Sequence, residues 1–354
     1  MTKLKPTVIT LHDPFFLSGH CIHHFNCEKW KTHCTDCEFL NIPFSITYDD
    51  TALKYFLKKI LINNSFISPI VASDWMYNLL KQSPIWKSKN IYKLPFGINQ
   101  NIFKPYNSSE AKKKLGIDDN SITLMLRSQD NPFKGIDIIR YTLNNLQSNK
   151  KITLITVGQR GLLNTFREKY IIKEFEWVTD DFFLAQLYQA SDILLMPSSQ
   201  EAFGLMAAEA MSCGKMVLAT KNTALEFTIN HPHCGIAIQY DAESYTKELQ
   251  RLLNNENEIK LRGNQCYEFA LANYSYDIFF SGLINIYKDV EKKYINYIFD
   301  SEKEIIELVI SQLETYSIED RATSKDSTNK KNKFSKCILR KLKKIHQKLL
   351  MHIQ

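Results

Sequence analysis

Pro197-Ser-Ser-Gln-Glu201-Ala-Phe-Gly204-Leu-Met-Ala-Ala-Glu209 is the stretch on which the reading of this chain turns. The apolar run Asp192–Pro197 predicts a strand that ends at Pro197. A short loop follows, and a helix is expected over Phe203–Cys213. Gly204 sits where that helix begins and permits a close backbone approach. The start of a helix presents unpaired N–H groups and a partial positive charge, which suit a diphosphate. Glu201 lies just before the helix and Glu209 one to two turns inside it, so both can face one crevice from different depths. A carboxylate accepts two hydroxyl hydrogen bonds at once, as a sugar or ribose requires. Spacing alone leaves open the alternative that both glutamates are solvated surface residues.

Outward from this stretch, short apolar runs alternate with amphipathic ones. Strands are expected at Ile122–Arg127, Ile152–Gly158, Met216–Thr220 and Gly235–Tyr240, and helices at Ile136–Leu146, Phe182–Ala190 and Ser244–Leu253. This alternation predicts an α/β fold, a parallel sheet with helices on both faces. Ligands of such sheets bind beyond the carboxyl ends of the strands. Arg127 ends one of those strands, and Lys134-Gly135 precedes the next helix. Two cations there can neutralise a leaving diphosphate; alternatively they are ordinary surface cations. Upstream, Val8–Leu11 reads as a buried strand ending at His12-Asp13, and Asn64–Ala72 as another. Pro95-Phe-Gly-Ile-Asn99 has the punctuation of a turn at a domain junction.

Together these elements resemble family 4 of the retaining glycosyltransferases. The motifs that carry the resemblance are Glu201-x7-Glu209 with Phe203-Gly204 inside it, Arg127 with Lys134-Gly135, Leu187-Tyr188-x3-Asp192, and Pro95-Phe-Gly-Ile-Asn99 with Phe103-Lys-Pro105. They span about residues 7 to 290. Thr10-Leu-His-Asp13, Ser18-Gly-His-Cys21, Cys27-x2-Trp30 and Cys34-x2-Cys37 look like a subgroup found in bacterial polysaccharide clusters. The resemblance implies a GT-B fold, two Rossmann-like domains facing a cleft, and a UDP- or GDP-sugar donor. It implies that Glu209 holds the ribose, and that Glu201 contacts the donor sugar with the backbone of Ala202, Phe203, Gly204 and Leu205. Arg127 and Lys134, with Gly135, would bind the diphosphate, and His12 would reach the sugar from the opposing domain. No catalytic metal is expected, since side chains take its place. Against the family pattern, the His12-Asp13 motif comes early, so the first domain is expected to be incomplete. The chain then reads as a fragment, one half of a split gene or a shortened member, and a partner chain would supply the rest.

Composition bounds the remainder. The chain has 354 residues, 44% hydrophobic and 23% charged, enough for two globular domains. The division expected is 1–98 for the acceptor-side domain with its Cys-rich loop, 99–290 for the nucleotide-sugar domain, and 291–354 for a helical extension. No apolar run reaches the ~18 residues a membrane span needs, and Val8–Leu11 is too short for a signal peptide. A cytoplasmic enzyme is therefore expected, its cysteines reduced or metal-bound. Cys21, Cys27, Cys34 and Cys37 lie within 17 residues, interleaved with His20, His23, His24 and His33. Four soft ligands so close suit a structural zinc; four buried thiols or a redox pair are the alternatives. The net charge of +7 is uneven: Lys325 to Gln354 hold ten Lys or Arg against one Asp, leaving 35 basic and 37 acidic residues before them. A near-neutral body gives no support to nucleic-acid binding. Residues 301–333 read as a polar linker. Ile338, Leu342, Ile345 and Leu349 make one stripe of a basic helix that can lie on an anionic membrane surface, a solvated or partner-packed helix being the alternative. The reading is a sugar transferase acting on a saccharide or lipid-linked saccharide for surface polysaccharide, peripheral on the inner face of the cell membrane. Its rivals are a non-catalytic GT-B chain that scaffolds a partner and a membrane-docked binding module.

Overall fold

A computed structural model describes residues 5–41 and 45–298. The linker and basic stretch expected over 301–354 lie outside the described residues. Thr7 to Ile286 form one compact unit. The described residues from Tyr287 onward belong to another, and are helical to residue 298.

In chain order the first unit runs β1 (Thr7–Leu11), α1 (Thr51–Asn63), β2 (Ile67–Val71), α2 (Asp74–Gln82) and β3 (Tyr92–Lys93). It continues with α3 (Ser108–Lys114), β4 (Ile122–Ser128), α4 (Ile136–Asn145), β5 (Ile152–Gly158), β6 (Ile171–Phe175), α5 (Asp181–Ala190) and β7 (Ile193–Met196). Then follow α6 (Leu205–Ser212), β8 (Met216–Thr220), α7 (Leu225–Thr228), β9 (Ile236–Ile238), α8 (Ala242–Leu253) and α9 (Glu256–Tyr274). Residues 276–286 are also helical.

Two parallel sheets result. The smaller is β1-β2-β3, with Thr10 opposite Ile70 and Val71 opposite Lys93. The larger has the order β6-β5-β4-β7-β8-β9, every pair parallel. Its chain runs outward from β4 to β6, then returns to start again at β7 beside β4. That is the doubly wound arrangement, and its switch point lies between β4 and β7. Side chains alternate across the strands as period two demands. Leu124, Leu126, Ile193, Leu195, Met216 and Leu218 enter the core on one face. Met125, Leu194, Met196, Val217 and Ala219 enter the core on the other. A third core, built on Leu11, Trp30, Met76 and Trp86, lies at the small sheet.

Several expected boundaries shift for local reasons. α6 begins at Leu205 rather than Phe203, because Gly204 at φ +90° breaks the helical path and Phe203 turns into the core. α8 begins at Ala242, two residues earlier than expected, since Asp241 accepts from the Ser244 N–H at 2.7 Å. β6 is an edge strand whose Lys173 and Glu174 hide its strand character, and it was not expected from pattern.

The large sheet closes on its own site through Gly135, which caps α4 at φ +66°. A Cβ there would fall on the Pro197 carbonyl at the end of β7. Gly135→Ala is therefore expected to lower stability by about 1–3 kcal/mol through backbone strain alone, and by more through the clash. Denaturant unfolding measures this, and an unchanged midpoint would mean that the two strand ends do not meet as described.

Candidate active site

The loop between β7 and α6 is held at four of its carbonyls. The Thr220 hydroxyl donates to Ser198 O. The Ala224 N–H donates to Glu201 O at 3.0 Å, and the Ser73 hydroxyl to Ala202 O at 2.7 Å. The Thr228 hydroxyl donates to Phe203 O at 2.6 Å. In return, the Ser199 N–H donates to Phe133 O at 2.9 Å, tying this loop to the turn after β4. The result is a rigid platform at the switch point of the sheet.

Above it opens a cleft of about 350 Å³. His12, Arg127, Lys134, Glu201, Ala202, Phe203, Gly204, Leu205 and Glu209 all line it. Gly135 stands behind, against Pro197. Lys134 Nζ donates to Glu201 Oε1 at 2.5 Å, both side chains mostly shielded from solvent. Arg127 lies with its guanidinium 4.8 Å from the Trp177 ring centre. Burial lowers its pKa, and the charge of Glu201 works the other way. Glu209 is buried inside the first turns of α6 and accepts from the Tyr188 hydroxyl at 2.8 Å. Burial raises its pKa, the Tyr188 hydrogen bond opposes that shift, and Asp181 adds to it. Gly204 is required where it stands, because a Cβ at φ +90° would also collide with Leu225.

His12 arrives from the small sheet. Asp13 accepts from the Phe15 N–H at 2.8 Å and turns the chain immediately after His12. The imidazole stacks on Phe96 at 5.2 Å and 19°. Phe96 meets Phe203 edge-on at 5.3 Å, and Phe203 meets Tyr274 at 5.5 Å. Phe96 and Trp177 are cleft residues that pattern did not single out. Phe96 was read only as part of a turn, and Trp177 follows the unrecognised strand β6.

The expectation of zinc at Cys21, Cys27, Cys34 and Cys37 finds no support in the described residues. The four sulfur-bearing residues do line one small cavity, with His20 and His24. Yet among the described residues no three His, Cys, Asp or Glu side chains are disposed to hold a metal ion. Cys34 Sγ accepts from the Gly19 N–H at 3.3 Å. Burial pushes the Cys21 thiol up to about 12, with the neighbouring thiols adding to the shift. Burial also raises the pKa of the Cys34 thiol.

Comparison with known proteins follows the geometry. Residues 107–268 match the family described as Glycosyl transferases group 1. A D-inositol 3-phosphate glycosyltransferase of Segniliparus rotundus is 25% identical over 207 residues, covering 55% of this chain and 46% of that protein. One from Streptomyces bingchenggensis is 25% identical over 217 residues, covering 56% and 47%. The chain thus spans about half the length of these relatives. Sucrose-phosphate synthase from Thermosynechococcus elongatus superposes with a TM-score of 0.63 at 19% identity, covering 80% of this chain and 67% of the other. HepE from Anabaena, solved in complex with UDP-glucose, superposes with a TM-score of 0.55 at 18% identity, covering 83% and 72%. The fold is GT-B: parallel α/β layers with a helical C-terminal region.

The environment of Glu209 has a measurable consequence. Its pKa is raised above the ordinary glutamate value of 4.5, so the folded state favours the protonated form. The stability that Glu209 contributes is therefore complete below about pH 4.5 and is lost as pH rises through its folded value. Glu209→Gln removes this loss, while a glutamine oxygen can still accept from Tyr188. The stability of the variant relative to the native chain is expected to improve between pH 4 and pH 7 in urea unfolding. Parallel pH profiles would show that Glu209 is not held in the shielded state described.

Proposed function

We propose that this chain moves a sugar from a UDP- or GDP-sugar to a hydroxyl of a saccharide or lipid-linked saccharide, with retention of anomeric configuration. The observation that carries this reading is one cleft at a sheet's switch point, where two cations, a helix start and two carboxylates converge. UDP-glucose in the complex of the structural neighbour HepE supports the donor class. Likeness to group 1 glycosyltransferases over residues 107–268 supports the reaction class.

In this reading the bond between the anomeric carbon and the phosphate oxygen breaks, and the acceptor hydroxyl bonds to that carbon and loses its proton. The nucleoside diphosphate leaves with growing negative charge. Arg127, Lys134 and the first turn of α6, Leu205 and Met206, lie where that charge would develop. Glu209 accepts from the ribose hydroxyls at the deep end. Glu201 accepts from the donor sugar, its carboxylate already oriented by Lys134. His12 contributes to the sugar from the small sheet, and residues 1–98 form the acceptor side. Surface polysaccharide is the product class, and the basic stretch Lys325 to Gln354 docks the enzyme on the inner face of the membrane. Among the described residues, no helix is long and apolar enough to cross a membrane.

A second reading is a donor-binding chain that works with a partner, since donor-side groups from a single sheet's switch point dominate the cleft. Calorimetry with UDP and GDP, and assay of sugar transfer or hydrolysis from UDP- and GDP-sugars, separate the two. Binding with turnover supports the enzyme; binding without turnover supports the partnered chain. Absence of binding to either nucleotide overturns both.

Two substitutions sharpen the assignment. Glu209→Ala is expected to weaken nucleotide binding by on the order of 1.5–3 kcal/mol, the value of a hydrogen bond to a charged group. Unaltered affinity in a folded variant would remove Glu209 from the site. Lys134→Ala is expected to lower kcat by about 10²–10³-fold, more than it raises KM, because leaving-group charge grows in the transition state. A rise in KM alone would reduce Lys134 to a ground-state phosphate contact.

A further inference from the structure

The Cys-rich loop has a second set of contacts, away from its sulfurs. His23 and Phe25 both reach Phe133, the residue before Lys134. The His23 ring lies 5.0 Å from the Phe133 ring, and the Phe25 ring 5.1 Å from it. Phe39 backs Phe25 at 5.0 Å. Phe133 is 3% exposed, so this contact is a closed one. Phe133 is gripped from the other side as well, since its carbonyl accepts the Ser199 N–H from the platform loop. Within its own turn, the Phe133 N–H donates to Asn131 Oδ1 at 2.9 Å and the Lys134 N–H to Asn131 O at 3.0 Å.

The loop holds this contact against local preference. Phe25 sits at φ +48°, in the left-handed region that a bulky side chain rarely adopts. His23 Nδ1 is buried without a hydrogen-bond partner, an arrangement native structures seldom keep. Burial, and then the charge of Lys134, push the His23 pKa down to about 4, so the ring meets Lys134 as a neutral group. A strained backbone and an unpartnered nitrogen on the two residues that make one contact indicate that the contact is what the loop is shaped for.

We infer that His23 and Phe25 are positioning residues of the donor site: their rings hold Phe133, and so hold Lys134 where a donor diphosphate would meet it. The inference rests on the proposed donor reading. It gives the loop Cys21–Cys37 a place in donor binding that does not depend on its cysteines.

The test is a double-mutant cycle on the full chain, with UDP and GDP as probes in calorimetry, using whichever the native chain binds. His23→Ala with Phe25→Gly removes both rings and relieves the left-handed residue. Misplacing a binding group by a fraction of an ångström can be costly, so the nucleotide Kd is expected to rise about tenfold. In a Lys134→Ala background the same pair should change Kd by less than about twofold, because the group it positions is gone. His23→Phe with Phe25→Tyr keeps two rings against Phe133 and should restore native affinity. Equal losses in both backgrounds, or no loss in the native one, overturn the inference while leaving the donor reading intact. If the double variant does not fold, Phe133→Leu removes the other half of the contact and is held to the same two numbers. A native chain that binds neither nucleotide removes the donor reading, and this inference with it.

Discussion

Everything at the cleft depends on the fixed backbone between Pro197 and Gly204. A loop of this kind normally leaves its carbonyls to water. Here Ser198, Glu201, Ala202 and Phe203 give theirs to three other elements: β8, the start and the end of α7, and the start of α2. A buried carbonyl without a partner is costly, and each of these bonds removes that cost only if the loop keeps one path. The path brings Glu201 to the mouth of the cleft and delivers Gly204 to the head of α6 in a conformation glycine tolerates. Once that path is set, Glu209 follows from helical geometry. It lies half-buried in α6, lining the cleft and accepting from the Tyr188 hydroxyl.

The same loop couples the two sheets. Ala202 packs against the core of the small sheet, and its carbonyl takes the hydroxyl that caps α2. The rings His12, Phe96, Phe203 and Tyr274 continue the contact from the end of β1 to the end of α9. The helical residues 276–286 then fold back on the junction: a Cβ at Gly97 would strike Phe279 and Tyr276, and one at Gly282 would strike Leu94. These close approaches give the junction motif a physical reason for its glycine. The site is thus assembled from three places far apart in sequence, and the register between them is fixed by packing.

This division explains what could be read from the sequence. β4, β5 and β8 are continuous apolar runs, because a parallel strand is covered on both faces. The strand ends and the loop before α6 follow from them, so Arg127, Lys134, Glu201 and Glu209 were legible as candidates. Phe96 was legible only as punctuation, since its part is a ring contact with His12, 84 residues away in sequence. Trp177 was hidden by β6, an edge strand whose charged residues break the apolar pattern. For the cysteines, spacing reports which sulfurs are near along the chain, whereas ligation depends on where an irregular loop points them, and among the described residues no three ligands are disposed for a metal.

The charge arrangement follows from the same burial. Lys134 and Glu201 satisfy one another in a shielded position, where either charge alone would be strongly unfavourable. In the proposed reading a donor diphosphate would share Lys134 with Glu201, whose carboxylate that lysine already orients. Burial raises the pKa of Glu209, and its hydrogen bond from Tyr188 opposes that shift. Arg127 lies beside the Trp177 ring at the cleft wall, within the electrostatic reach of Glu201. The cleft therefore sets two cations beside two carboxylates, one carboxylate paired with a lysine and the other with a tyrosine hydroxyl, and that pairing arises from the depth at which the fold sets each group.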